Sequence, residues 1–170
     1  KNGKLTPIAL GEKVMDVDFG AFVKNTLCIP WGDIATSWRS TGIPNIEVYS
    51  GAPEIAIRAA KMSRYFNGLL RRRWVKDFLR RKVDVRPAGP DAQALLSGRS
   101  YLWGRVSDDN GNTVDARLNT ASGYLLTAKM AALIADELIT SEKIEHGYFT
   151  PAQNFGEGLI SKIEGTVWTA

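Results

Sequence analysis

The stretch RSYLWGRVSDDNGNTVDARLNT, residues 99–120, decides the fold class. Two strand-like runs flank Asp109-Asn110-Gly111-Asn112. Asn-Gly is the strongest short hairpin signal, because both central residues of a mirror-image type I turn need positive φ. With Asn110 and Gly111 at the centre, the spacing predicts Tyr101 opposite Thr120, Trp103 opposite Leu118, Arg105 opposite Ala116 and Ser107 opposite Val114, all on one face. Gly104 then falls opposite Arg117 on the other face, beside Leu102, Val106 and Asp115. The aromatic face reads as the core face.

Working outward, Leu126, Met130, Leu133, Ile134 and Leu138 mark a buried stripe on a helix over Tyr124 to Ile139, with Thr120 or Ser122 as its cap. A last helix is expected from about Pro151, carrying Phe155, Leu159 and Ile163. Upstream of the hairpin, Asp91 to Leu96 reads as one short helical stretch. Near the start, Leu5 to Leu10 reads as a strand after an Asn2-Gly3 turn. Lys13 to Phe19 alternates as a half-buried strand, with Val14, Asp16 and Asp18 set against Met15, Val17 and Phe19. Phe22 to Ile29 and Asn45 to Tyr49 read as further strands. From Glu54, just after Pro53, the positions Ile55, Ala59, Met62, Phe66, Leu69 and Leu70 follow helical spacing. Asn67-Gly68 breaks that helix, and Leu69 to Arg81 forms a second one with Leu70, Trp74 and Phe78 in register. Strands and helices without βαβ alternation predict an α+β fold, a mostly antiparallel mixed sheet covered by helices, in a single domain over residues 1–170.

The chain starts without Met at an orphan turn, which reads as a fragment whose first hairpin strand is missing; an irregular exposed terminus fits equally. Its 170 residues, 44% apolar and 24% charged, place it in the globular regime. One cysteine, Cys28, excludes an internal disulfide, and one histidine, His146, leaves too few soft ligands for a zinc site. The longest stretch without a charge, Leu118 to Ala128, spans 11 residues and is too short for a membrane helix. The expected location is cytoplasmic, with a membrane-peripheral position as its extension.

Charge is unevenly distributed. Ten basic residues lie between Arg58 and Lys82 against one acid, Asp77, so a mildly acidic body carries one basic segment. Arg71, Arg72, Arg73 and Lys76, interleaved with Trp74, form its centre. That segment reads as a solvated helix face with weak affinity for an anionic membrane surface, and it gives the chain an alternative function as a basic binding module at such a surface or on another anionic partner; no base-contacting set points to nucleic acid.

Dinucleotide, P-loop, paired-histidine and nucleophile-elbow motifs are absent; the single Gly-x-Gly, Gly156-Glu157-Gly158, has Ser161 where a third glycine would fall. Cys28 reads as a buried small hydrophobe. The free N–H groups at the start of the Tyr124 helix could hold an anion, and ordinary capping explains them equally. The best candidate site is Pro30 to Pro44, which holds Trp31, Trp38, Asp33, Arg39 and four hydroxyls (Thr36, Ser37, Ser40, Thr41) between Gly32 and Gly42. Two readings stand level: a substrate loop of flat walls and directional hydrogen bonds, or a short helix capped by Asp33 with both tryptophans in the core.

The sequence IPWGDIATSWRSTGIPNIEVY, residues 29–49, resembles a signature stretch of bacterial saccharopine-dehydrogenase-like oxidoreductases, including the trans-acting enoyl reductase group. Gly89-Pro90-Asp91 leading to GRSYLWG (98–104), GYLLTA (123–128) and GYFTPA (147–152) fit the same pattern in the same order. The resemblance implies an NAD(P)-binding Rossmann domain followed by an α+β domain that shapes the substrate side and often mediates association, as in a homodimer. This chain resembles only the second part. NAD or NADP would belong to the missing Rossmann domain, and no residue of this chain would bind the cofactor. The implied substrate-side residues are Trp31, Asp33, Thr36, Ser40 and Thr41, facing the nicotinamide cleft around a small-molecule substrate. Within them, Asp33 is expected to cap the following turn and so to fix the loop bearing Thr36 and Thr41. The amino-acid substrate of true saccharopine enzymes is not carried over.

Overall fold

A computed structural model describes residues 1–63, 65, 68, 72–85, 89–141 and 146–169. Its elements run β1 (Val14–Asp18), β2 (Val23–Cys28), α1 (Asp33–Thr41), β3 (Tyr49–Gly51), α2 (Glu54–Ser63), α3 (Arg73–Asp84), α4 (Ala92–Ser97), β4 (Arg99–Ser107), β5 (Thr113–Ala121), α5 (Gly123–Thr140), α6 (Pro151–Phe155), a 3₁₀ helix (Glu157–Lys162) and β6 (Val167–Thr169). The α+β class and the antiparallel pairing stand, but two three-stranded sheets replace the one expected: β1-β2-β3 and β4-β5-β6. The backbone clusters into two compact units. Unit 1 comprises Lys1–Asp18 and Val23–Gly89; unit 2 comprises Phe19–Phe22 and Pro90–Ala170.

In unit 1, β2 is the central strand, so Thr26, Leu27 and Cys28 are buried although they alternate between the two faces. Thr26 meets the cost of burying a hydroxyl by donating to the Met15 carbonyl at 2.8 Å. Val17 is the most buried residue of β1, as its alternation predicts. The Asn2-Gly3 turn forms as read, with φ of 53° and 69° and Lys4 N–H donating to the Lys1 carbonyl at 3.0 Å. The expected Leu5–Leu10 strand does not form. Pro7 has no N–H to give a ladder, and the segment ends in a turn where Glu12 N–H donates to the Ala9 carbonyl and its carboxylate accepts from Ala9 N–H.

Two further expectations in unit 1 need correction. The third strand covers Tyr49–Gly51 rather than Asn45–Tyr49. Helix α2 begins after Pro53 as expected, but it buries Ile57 and Ala60 while Ile55, Ala59 and Met62 face outward. Gly11 explains the rotation: it sits at φ +82°, and a β-carbon there would lie 2.7 Å from Lys61 N, so the chain passes directly against α2. Helix α3 covers Arg73–Asp84, running past the expected end at Arg81, and its Trp74 and Phe78 are exposed. Phe66, Asn67, Leu69, Leu70, Arg71 and Pro87 lie outside the described residues.

In unit 2 the β4–β5 hairpin forms, but its register is one residue from the expected one. Tyr101 pairs with Asn119, Trp103 with Arg117 and Gly104 with Ala116. The cause is Asp108. Its carboxylate accepts from the Asn110 and Asn112 N–H groups, at 3.0 and 2.8 Å, and from the Asn112 side chain at 2.8 Å. Those bonds hold its pKa below the usual carboxylate value and close a three-residue loop in which Gly111 alone has positive φ, 85°. A one-residue slip moves side chains to the opposite face. Leu118 and Thr120, both buried, therefore lie across the sheet from Tyr101 and Trp103 rather than beside them. Arg117 does not lie over Gly104.

Asp91 caps α4 by accepting from Ala94 N–H at 2.7 Å. Ser122 precedes α5 but does not cap it; its hydroxyl donates to the Leu95 carbonyl at 2.7 Å, while Thr120 shares a hydrogen bond with Thr166. Leu126, Met130, Leu133 and Ile134 are half-buried and Leu138 is exposed, so α5 buries no residue fully. The last expected helix is broken at Gly156 (φ 83°) into α6 and the 3₁₀ turn, which still buries Leu159; Ile163, just beyond it, is buried too. Strand β6, which pairs with β5, has no counterpart in the sequence reading.

Candidate functional site

The segment from Pro30 to Pro44 resolves into helix α1, flanked by short non-helical ends. Gly32 is its N-cap and already has helical φ and ψ, so Asp33 is the first helical residue and no side chain caps the helix. The expectation that Asp33 caps it fails for that reason. Asp33 still complements the positive N-terminal end of the helix dipole. Gly42, at φ 70°, ends the helix by donating its N–H to the Trp38 carbonyl. Neither tryptophan enters a core: Trp31 is 59% and Trp38 48% exposed.

The hydroxyls of α1 turn back on the helix itself. Thr36 donates to the Asp33 carbonyl at 3.3 Å, Ser40 to the Thr36 carbonyl at 2.9 Å and Thr41 to the Ser37 carbonyl at 2.7 Å. Such back-bonding uses the hydroxyl proton, leaving oxygen lone pairs as the only free polar function. At about 3.6 residues per turn, Asp33, Thr36 and Ser40 share one side of α1, while Ile34, Ala35 and Trp38 share another.

It is the second side that borders open space. A cleft of about 280 Å³ is lined by Leu5 to Leu10, apolar but for Thr6, by Ile29 and Pro30, and by Ile34 and Ile46, with Lys1 and Lys4 beside them. A smaller hollow of about 210 Å³ shares Leu5, Ile34 and Ile46 and adds Ala35, Trp38 and Ile43. None of Trp31, Asp33, Thr36, Ser40 or Thr41 lines either space. The N-terminal wall is pinned in place: Gly3 N–H donates to the Pro44 carbonyl at 2.8 Å, Asn2 N–H to Asn45 Oδ1 at 3.0 Å, and Gly3 packs on the Trp38 indole.

Lys13, Glu47 and Cys28 bring polar chemistry to the larger cleft. The Lys13 ammonium pairs with the Glu47 carboxylate, which also accepts from the Tyr49 hydroxyl at 2.7 Å. The hydrogen bonds from Lys13 and Tyr49 hold the Glu47 pKa below the usual carboxylate range. The bond to Glu47 raises that of Lys13. Burial, and then the bond to Glu47, push the Tyr49 phenol well above its ordinary value. Burial likewise raises the Cys28 thiol, helped by the Glu47 charge. A thiol and a phenol shifted upward stay protonated near neutrality and are poor nucleophiles or acids there. The arrangement can bind and orient an apolar molecule, with a fixed ion pair at one wall.

Lys13, Glu47 and Tyr49 were absent from the expected site. The signal was the spacing of Glu47 and Tyr49, two residues apart and so on one side of an extended chain. Of the expected basic surface, Arg72, Arg73 and Lys76 are exposed, and Arg71 lies outside the described residues. Among the described residues no group of three or more His, Cys, Asp or Glu could hold a metal ion, and no helix is long and apolar enough to cross a membrane. No protein-family model, curated protein or solved structure matches the chain.

Proposed function

We propose that this chain is the substrate-side domain of an NAD(P)-dependent oxidoreductase of the saccharopine-dehydrogenase-like kind, and that the larger cleft of unit 1 receives the apolar part of its substrate. One observation carries the reading. Residues 29–49, which bear the most specific part of the resemblance, supply Ile29, Pro30, Ile34, Ile46 and Glu47 to that cleft. Its volume is close to the lower bound of about 300 Å³ for small-molecule sites, which suits a short acyl chain better than a dinucleotide. Lys13 and Glu47 act as orienting groups beside it. Hydride donor and proton donor belong to the nucleotide-binding part of the intact protein; Asp33, Thr36 and Ser40 act from the opposite side of α1 as support, and Trp31 and Thr41 lie at the two ends of that helix.

The test is calorimetric titration of the intact polypeptide and of residues 1–170 with NADH and NADPH. The intact polypeptide should bind one of them at micromolar concentration, and residues 1–170 should bind neither, having no glycine-rich turn at a helix start to cradle the pyrophosphate. An intact polypeptide that binds neither dinucleotide overturns the reading.

A further inference from the structure

Helix α3 has the makeup of an element built for an interface, and the described residues of unit 1 bury none of its twelve residues. Trp74, Phe78, Leu79 and Val83 are 65, 56, 48 and 64% exposed. At about 3.6 residues per turn they fall with half-buried Val75 on one continuous side of the helix. A solvated basic face accounts for the charged half of α3 and leaves this apolar half unexplained.

We propose that α3 lies on an anionic lipid surface, with Trp74, Phe78, Leu79 and Val83 among the acyl chains and the basic side chains at the headgroups. The helix carries five basic residues and two acids, and Arg72 precedes it. Lys76 and Arg81 fall at the two borders of the apolar side, where headgroup phosphates would meet them. Lys82 falls within that side. Its ammonium stands 5.4 Å from the Phe78 ring centroid, so the stem covers apolar surface and the charge can reach outward. Charge and apolar surface are thus arranged for one partner that offers both anions and hydrocarbon.

Nucleic acid fits less well. Asp77 and Asp84 share the polar side with Arg73 and Arg80 and would oppose a phosphate track there. Trp74 and Phe78 lie on the other side, whereas a stacking platform needs bases and phosphates on one face. Pairing of two copies through α3 would bring Lys82 of each into the seam.

The experiment is co-sedimentation of the chain with vesicles of phosphatidylcholine alone or with ~30% phosphatidylserine, at ~0.1 and ~0.5 M salt. Binding should require phosphatidylserine, weaken at the higher salt and shift tryptophan emission to the blue, with Trp74→Phe removing most of the shift but not the binding. The Trp74→Ser/Phe78→Ser pair and the Lys76→Gln/Arg80→Gln/Arg81→Gln triple should each weaken binding about tenfold or more. All five positions are exposed, and an unchanged far-ultraviolet circular dichroism spectrum certifies the fold of each variant. The proposal is overturned by no binding to anionic vesicles, or by undiminished binding in the apolar pair. Tighter binding to a duplex or single-stranded oligonucleotide than to vesicles also overturns it, as does self-association abolished by Phe78→Ser.

Discussion

Helices α1 and α3 belong to the same unit and both expose tryptophan, yet they face their surroundings differently. The apolar side chains of α1 meet other segments: Ile34 and Trp38 share hollows with Leu5, Ile43 and Ile46, and Gly3 packs on the Trp38 indole. Its hydroxyls are tied to its own carbonyls. The apolar side of α3 has no residue buried, holds Lys82 within it and is bordered by Lys76 and Arg81. An exposed tryptophan therefore carries little meaning alone; its neighbours decide whether it walls a cavity or presents a surface.

Five substitutions probe that contrast. The largest effect is expected for Gly11→Ala, which adds a β-carbon against the Lys61 backbone at positive φ. It should cost about 3 kcal/mol of stability in a urea titration, whereas Phe78→Ser on α3 should stay within about 0.5 kcal/mol. Equal losses in the two variants would mean that α3 is packed like the rest of unit 1. Next, Ile34→Trp should plug the cleft and weaken binding of octanoate about tenfold, measured by calorimetry, because a closed hydrophobic pocket discriminates on that scale. Unchanged affinity would place the ligand elsewhere.

Glu47 gives a smaller, pH-dependent effect. Its carboxyl holds its proton less tightly in the folded chain than its ordinary pKa of 4.5 implies. Its contribution is therefore fully present above that value and fades as pH falls through the lower folded pKa. The carboxylate is 37% exposed, so the contribution stays under about 1 kcal/mol. Glu47→Gln should flatten the loss of stability between about pH 5 and 3; an acid limb identical to that of the parent chain would remove the ion pair from the account. The smallest effect is expected for Thr36→Val, within about 0.5 kcal/mol by thermal unfolding, since its hydroxyl makes only long bonds to its own helix. A larger loss would give Thr36 a role beyond α1.

Much of the fold was legible where the signal is local. The strands β1 and β2, the short helix near Asp91, the Pro53 start of α2 and the extent of α5 all follow from neighbouring residues. The two Asn-Gly pairs show where local reading ends. Asn2-Gly3 makes the mirror-image turn with both φ positive, while Asn110-Gly111 does not, because the Asp108 carboxylate stabilises a longer loop. One carboxylate thus set the register of eighteen strand residues. The buried stripe of α2 was misplaced for a tertiary reason, the approach of Gly11 to Lys61, which no periodicity contains. The segment read as the candidate site lies beside the cleft, but not with the residues named for it. Residues 29–49 do border the cleft, through Ile34 and Ile46 rather than through the polar residues that composition favours. Lys13 reaches Glu47 from 34 positions away, a contact that only the folded β1–β2–β3 sheet creates.

The most direct measurement is a two-dimensional amide NMR titration of the chain with octanoate below its micelle concentration, which reads both helices in one experiment. The account predicts saturable shifts at residues 5, 6, 8–10, 13, 28, 29, 34 and 46–47, with the amides of α3 unmoved, since a monomeric acid offers no lipid surface. Shifts centred on α3, or none at the cleft up to millimolar ligand, would contradict it.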